Sequence, residues 1–259
     1  MSSHAVLLPQ RTPRSAFGKL LQNETRYAWR VPFGLLMGIA VPVLALVIIG
    51  VIPGSNKPVK SLGGLTVFST YFPVLIAFAL AMIALMSLPG HLADYRQQGI
   101  LRRMSTTPVP PAWMLAAQVV INLALAVVAL GILVVAGLAG FGLGAPGQPG
   151  GFALALVLTI AAMFAVGLWI TAIARSTNAA VLLGLLMLYP MLFFAGLFFP
   201  RQELPAVVQD IGNWTPLGAS VQALQDSMRG VFPSASLLLA LAAWAVVFGF
   251  LAVRFFRWE

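Results

Sequence analysis

Residues 65–88, LTVFSTYFPVLIAFALAMIALMSL, carry no charge over 24 positions. Wound as an α-helix at 1.5 Å per residue, the stretch is about 36 Å long, enough to cross the ~30 Å hydrocarbon layer of a bilayer. Five further runs share this character: residues 31–52, 112–138, 152–174, 179–199 and 234–253. None of the chain's 21 charged residues falls inside any of the six. Hydrophobic residues make up 60% of the chain and charged residues 8%, whereas a soluble domain is near a quarter charged. The expected fold is therefore an all-α integral membrane protein of six transmembrane helices. The first run is too long for a signal-peptide core and lacks a small-residue cleavage site, so it reads as a retained span.

Outward from the 65–88 run lies the one polar connection that looks built to touch something: His91-Leu-Ala-Asp-Tyr-Arg-Gln-Gln-Gly-Ile-Leu-Arg-Arg-Met-Ser-Thr-Thr-Pro-Val-Pro-Pro111. The distribution of basic residues gives it a side. Eleven Lys and Arg lie in the N-terminal segment, this loop, the link at Arg175 and the C-terminal tail; four (Lys57, Lys60, Arg201, Arg229) lie in the other loops. By the positive-inside rule the first group, with both termini, faces the cytoplasm. The net charge of +9 is then a matter of orientation. It is spread over loops rather than gathered on one face, so nucleic acid is not an expected partner.

The segment before the first span divides the chain into 1–30, a cytoplasmic N-terminus, and 31–259, the membrane domain. From Ser15 to Arg30 it is periodic, with Lys19, Gln22, Asn23, Arg26 and Arg30 on one face and Phe17, Leu20, Leu21, Tyr27 and Ala28 on the other. This fits an amphipathic helix in the membrane interface. Glu24 interrupts its apolar face, so a polar lead-in helix stays open as the alternative. Within the spans, Gln118 and Asn122 stand one turn apart near the start of the third. They are expected to hydrogen-bond to a neighbouring helix, the alternative being that they line a substrate path. Pro42, Pro73 and Pro190 are expected to kink their helices.

Between the fifth and sixth spans, Leu204, Val207, Val208 and Ile211 repeat at helical spacing, as do Leu217, Val221, Leu224 and Met228. Gly212-Asn-Trp-Thr-Pro216 separates them, with Thr215 placed as an N-cap and Pro216 at the first helical position. Two short external helices are expected, dipping into or lying on the outer leaflet, or forming a surface hairpin.

Catalytic chemistry is not expected. Gly18-Lys19 is followed by Leu20, and Pro13 stands where a P-loop needs its first glycine, so the chain has no ATPase site of that type. Cysteine is absent, only His4 and His91 offer imidazole, and no metal site or bound cofactor is expected. Proton-coupled carriers keep ionisable groups inside the bundle, and these spans have none. The spans thus read as a membrane body without an energy source of its own.

Two stretches resemble the ABC-2 type permeases, the membrane subunits of ATP-driven exporters. The first is Tyr95 to Pro108, with Arg96, Gly99, Leu101, Arg103, Thr107 and Pro108 matching that family's cytoplasmic run between spans two and three. The second is Gly196-Leu-Phe-Phe-Pro200 with Leu204-Pro205, Pro216 and Arg229-Gly230. The resemblance covers nearly the whole chain. It implies a dimer of permeases in the cytoplasmic membrane, with two separately encoded ATPase subunits that bind ATP and Mg. It also implies that residues 96–108 form the coupling element seated on the ATPase. A helix from Leu92 to Met104 would place Ile100, Leu101 and Met104 on one side and Arg96, Arg102 and Arg103 largely on the other. Topology and lipid phosphates are the other use of these arginines. Gln97, Gln98 and Arg102 depart from the family's more acidic pattern and ask for an acidic groove on the partner. The implied function is export of an amphiphilic or lipid-like substrate, such as a drug, lipid or lipid-linked glycan. A self-contained carrier or channel, or a non-transporting membrane scaffold, are the alternatives. Trp214 completes the residues expected to shape the external helices.

Overall fold

A computed structural model describes residues 13–30, 36–62, 64–99 and 112–256. Among these, the regular elements are helical, with a single isolated bridge between Pro58 and Thr66. In chain order they are α1 (Pro13–Arg30), α2 (Val41–Val51), α3 (Val67–Met82), α4 (Leu88–Gln97), α5 (Ala112–Val135), α6 (Pro149–Ile173), α7 (Thr177–Ala195), α8 (Ala206–Trp214), α9 (Pro216–Met228) and α10 (Ala235–Phe255). One-turn π segments precede α2 (Leu36–Ala40), join α3 to α4 (Ile83–Ser87) and follow α5 (Ala136–Gly140). Five helical rods are long and apolar enough to cross a membrane: Val67–Gln97, Trp113–Gly140, Pro149–Ile173, Thr177–Ala195 and Ala235–Phe255. The first apolar run is described only from residue 36, and its helical part is shorter than these.

The rod formed by α3, its π turn and α4 is the axis of the molecule. Its side chains from Phe68 to Leu88 are buried almost without interruption, and α2, α5, α6, α7 and α9 all pack on it. Other rods are as apolar but leave a face exposed; this one is covered by protein along nearly its whole apolar length. Gly167 of α6 sits against the Ala84 carbonyl at the π turn, where any Cβ would collide with that oxygen. α6 reaches the centre only because that side chain is missing. α10 lies along α6, while α5 and α10 turn exposed valines, leucines and Phe250 outward.

Local signals set the ends of the elements. Thr66 and Ser69 exchange side-chain to backbone hydrogen bonds of 3.0 and 3.2 Å and start α3. Ser176 accepts the Ala179 N–H and starts α7. α7 stops at Ala195 rather than at residue 199, because Gly196 takes the left-handed φ of 84° and its N–H returns to Leu192 and Phe193. Pro42 lies in the first turn of α2, directly after the helical π turn Leu36–Ala40; Pro73 and Pro190 lie inside α3 and α7.

Both expected short helices form, and the structure covers them differently. α8 does expose Val207, Ile211 and Trp214, but α9 is a core element packed on α3, α6, α7 and α10. Thirteen residues are too few to span, yet Leu217, Val221 and Leu224 are wholly buried. Helical periodicity marks an apolar stripe, and it does not say whether lipid or protein covers that stripe.

Candidate functional site

The described residues among those singled out by sequence fall at the two ends of the central rod. Its 31 residues set those ends about 45 Å apart.

At one end α4 leads into the polar loop. It does not continue to Met104 as a single helix: it ends at Gln97, and Gln98 and Gly99 form a turn. The Gln98 N–H donates to Asp94 O at 2.9 Å and the Gly99 N–H to Arg96 O at 3.1 Å. Gly99 has a φ of 65°, a conformation that side-chain-bearing residues adopt at a cost, so the glycine terminates the helix. Of the expected coupling residues, Arg96 and Gly99 are described; Ile100, Leu101, Arg102, Arg103, Met104, Thr107 and Pro108 lie outside the described residues.

Three consecutive residues before that turn each hold a different part of the molecule. Successive side chains on a helix diverge by about 100°, so neighbours in sequence reach in separate directions. Tyr95 Oη donates to Glu24 Oε2 of α1 at 2.7 Å. Arg96 Nη1 donates to the carbonyls of Thr171 (3.3 Å) and Ala174 (2.5 Å), satisfying the C-terminal end of α6, and the guanidinium lies 5.9 Å from the Phe256 ring centroid. Gln97 Oε1 accepts from Thr177 Oγ1 at the start of α7 at 3.0 Å.

Glu24 is the residue whose importance the sequence hid. It is 5% exposed, and its Oε2 accepts both from Tyr95 and from Gln118 Nε2 of α5. Burial raises the Glu24 pKa above the ordinary carboxylate value, against the lowering effect of the Tyr95 and Gln118 hydrogen bonds. Gln118 thus makes an interhelical bond, whereas Asn122 Nδ2 turns back to the Gln118 carbonyl of its own helix at 2.9 Å. Phe17 meets Trp113 edge-to-face at 5.8 Å and completes the seat of α1 on α5. The signal for Glu24 was its place on the apolar face; its partners, 71 and 94 residues away, were not in the local pattern.

At the other end, Pro200 begins the single turn Arg201–Glu203, Leu204 O accepts from Gln209 Nε2, and Pro205 precedes α8. Trp214 O accepts from Trp244 Nε1 at 2.8 Å. Thr215 caps α9 by accepting the Gly218 N–H, with Pro216 buried in its first turn. Arg229 ends α9, and Gly230 turns the chain with a φ of 83°. A cavity of about 170 Å³ lies between the start of α3, the 143–145 segment and the end of α9, with Gln225 and Arg229 in its wall.

The centre of this end is Arg201, which the sequence reading counted only as a loop charge. It is 3% exposed. Nη1 donates to the carbonyls of Gly218 (3.0 Å) and Phe194 (3.4 Å), and Nη2 to Gln209 O (3.1 Å) and Asn213 Oδ1 (2.6 Å). The planar guanidinium therefore ties the end of α7, α8 and the first turn of α9 together. Burial lowers the Arg201 pKa, partly offset by Asp226. The Asp226 pKa is raised by burial, opposed by Gln222, Arg229 and Arg201.

Among the described residues no group of three or more His, Asp or Glu gathers as a metal site would require. Among the described residues, the polar side chains at the two ends hold helices to one another.

The family model for "ABC-2 type transporter" matches residues 15–228. The chain is also similar to "Nodulation protein J" of Rhizobium leguminosarum bv. viciae, 32% identical over 75 residues, which is 29% of either chain. The same protein of Rhizobium leguminosarum bv. trifolii gives the same identity over the same length. The match thus spans less than a third of these curated relatives.

Proposed function

The chain belongs to the ABC-2 type transporter family, and from that premise we propose that it is the permease subunit of an ABC exporter, moving an amphiphilic or lipid-like substrate outward. In this reading residues 31–259 supply six spans to a homodimer in the cytoplasmic membrane, with both termini in the cytoplasm. Two separate ATPase subunits bind ATP and Mg and seat against the loop that follows α4. α1 lies in the cytoplasmic interface, and α8 with α9 form the outward end.

The observation that carries the reading is the anchoring of the loop's stem. Tyr95, Arg96 and Gln97 grip α1, α6 and α7, so a displacement of the loop reaches three other helices at once. This is what a permease without its own energy source needs from the surface that meets its motor. The five apolar rods and the family match support the same assignment.

The test is co-purification with an ABC ATPase from the same organism, sought first among the neighbouring genes, followed by ATP hydrolysis in vesicles with and without candidate amphiphiles. The expected outcome is a stable complex whose hydrolysis is stimulated by its substrate. Gly99→Pro, which forces φ to about −65° where 65° is required, should leave the complex inserted but separate hydrolysis from export. Arg103→Glu should do the same by reversing charge on the loop. A chain that binds no ATPase would overturn the permease reading; variants that keep normal substrate-stimulated hydrolysis and export would overturn the coupling role of the loop.

A further inference from the structure

Glu24 joins α1 to both stems of the loop. Tyr95 lies on α4, three residues before the Gln98–Gly99 turn, and Gln118 lies on α5, on the far side of residues 100–111. One carboxylate oxygen accepts from both. Both donors are neutral, so among the described residues this buried carboxylate is held by hydrogen bonds. An apolar side chain would bind α1 to α5 without the cost of taking a carboxylate out of water. What an apolar contact lacks is direction. A two-donor site fixes the separation of the donors, and those donors set the separation of the two stems.

We infer that Glu24 is a positioning residue: it clamps the two stems of the 98–111 loop at one spacing and makes α1 move with them as a unit. That this loop meets a motor subunit rests on the function proposed above; the clamp itself rests on the Glu24, Tyr95 and Gln118 geometry. Because Tyr95 adjoins Arg96 and Gln97, holding Tyr95 also holds the register of the contacts to α6 and α7. Loss of Glu24 removes the shared acceptor of Tyr95 and Gln118 and releases α1 from both stems.

The chain has no cysteine, so two introduced cysteines can be spin-labelled without background. Gln22→Cys on α1 and Arg175→Cys at the α6–α7 turn are exposed and outside the clamp. Their distance distribution is measured by pulsed electron resonance in phosphatidylethanolamine–phosphatidylglycerol vesicles. The labelled parent should give one narrow distribution. Glu24→Ala should broaden it about two-fold as α1 detaches locally. Tyr95→Phe, which keeps the ring and removes one donor, should broaden it less, and serves if Glu24→Ala does not insert. The exchange Glu24→Gln with Gln118→Glu keeps a carboxylate among the same partners and should return the parent width. A parent width in Glu24→Ala or Tyr95→Phe overturns the inference, as does an exchange variant as broad as Glu24→Ala. The permease reading is judged separately, by adding ATP to the labelled parent bound to its ATPase. A distance that ignores nucleotide sinks that reading and leaves the width comparison standing.

Discussion

Arg201 and Glu24 are both buried ionisable groups with their hydrogen bonds directed inward, one at each end of the bundle, and they are built in opposite ways. The Arg201 acceptors all lie within 17 residues of it, and three of the four are backbone carbonyls. The Glu24 partners lie 71 and 94 residues away, and both are side chains. A local knot can form as soon as its own segment folds, because little loop-closure entropy opposes it. A stitch between three distant helices holds only while all three are in place. The end around Arg201 should therefore behave as a rigid block, and the end around Glu24 as a joint.

The largest blow to that contrast is Arg201→Ala. It strips the Asn213 side chain and three carbonyls of a charged donor in a buried site and should cost about 3 kcal/mol or more. Arg201→Lys should recover little, since an ammonium cannot span acceptors arranged around a planar fork. Thermal denaturation in detergent reads both, and a melting point equal to the parent's would remove the rigid block. Glu24→Ala should cost less, about 1–3 kcal/mol for the two buried hydrogen bonds lost. Its effect should also be confined: hydrogen exchange should rise on α1 and the end of α4 while α9 stays protected. Exchange spread evenly over the chain would erase the difference between joint and block. Gly99→Ala should cost about 1 kcal/mol for the left-handed conformation, again with loosening limited to the loop end.

The smallest expected effect is a pH dependence. Burial raises the Glu24 pKa in the folded chain, so its protonated form is the one the fold favours. That contribution is fully present below the unfolded value of about 4.5 and is lost as pH rises through the higher folded value. The parent should therefore gain stability relative to Glu24→Gln as pH is lowered through that window. Measuring the difference between the two proteins cancels Asp226, whose shift has the same sign.

Much of this molecule is legible along the chain. The uncharged runs give helices and a membrane, because a bilayer forces backbone groups to bond within their own segment. Thr215-Pro216 announces the start of α9, and Gln118 announces a bond to another helix, since an amide inside an apolar face needs a partner. The identity of that partner was hidden, because Glu24 looked like an interruption of α1 rather than the acceptor that Gln118 was missing. Arg201 was hidden for a related reason: in a short loop, a charge that marks topology and a charge that holds the loop together look alike.

The amino-acid sequence thus determined what depends on composition and near neighbours: an all-helical membrane chain, the start of α9 at Thr215-Pro216, and a polar loop after the 65–88 run. Only the tertiary structure decided that α9 is core, that α4 ends at Gln97, and that Tyr95, Arg96 and Gln97 hold three different elements. The physical reason is range. Helix hydrogen bonds close over four residues and caps over three, so local sequence specifies them. What a buried side chain faces depends on segments brought together by the whole fold.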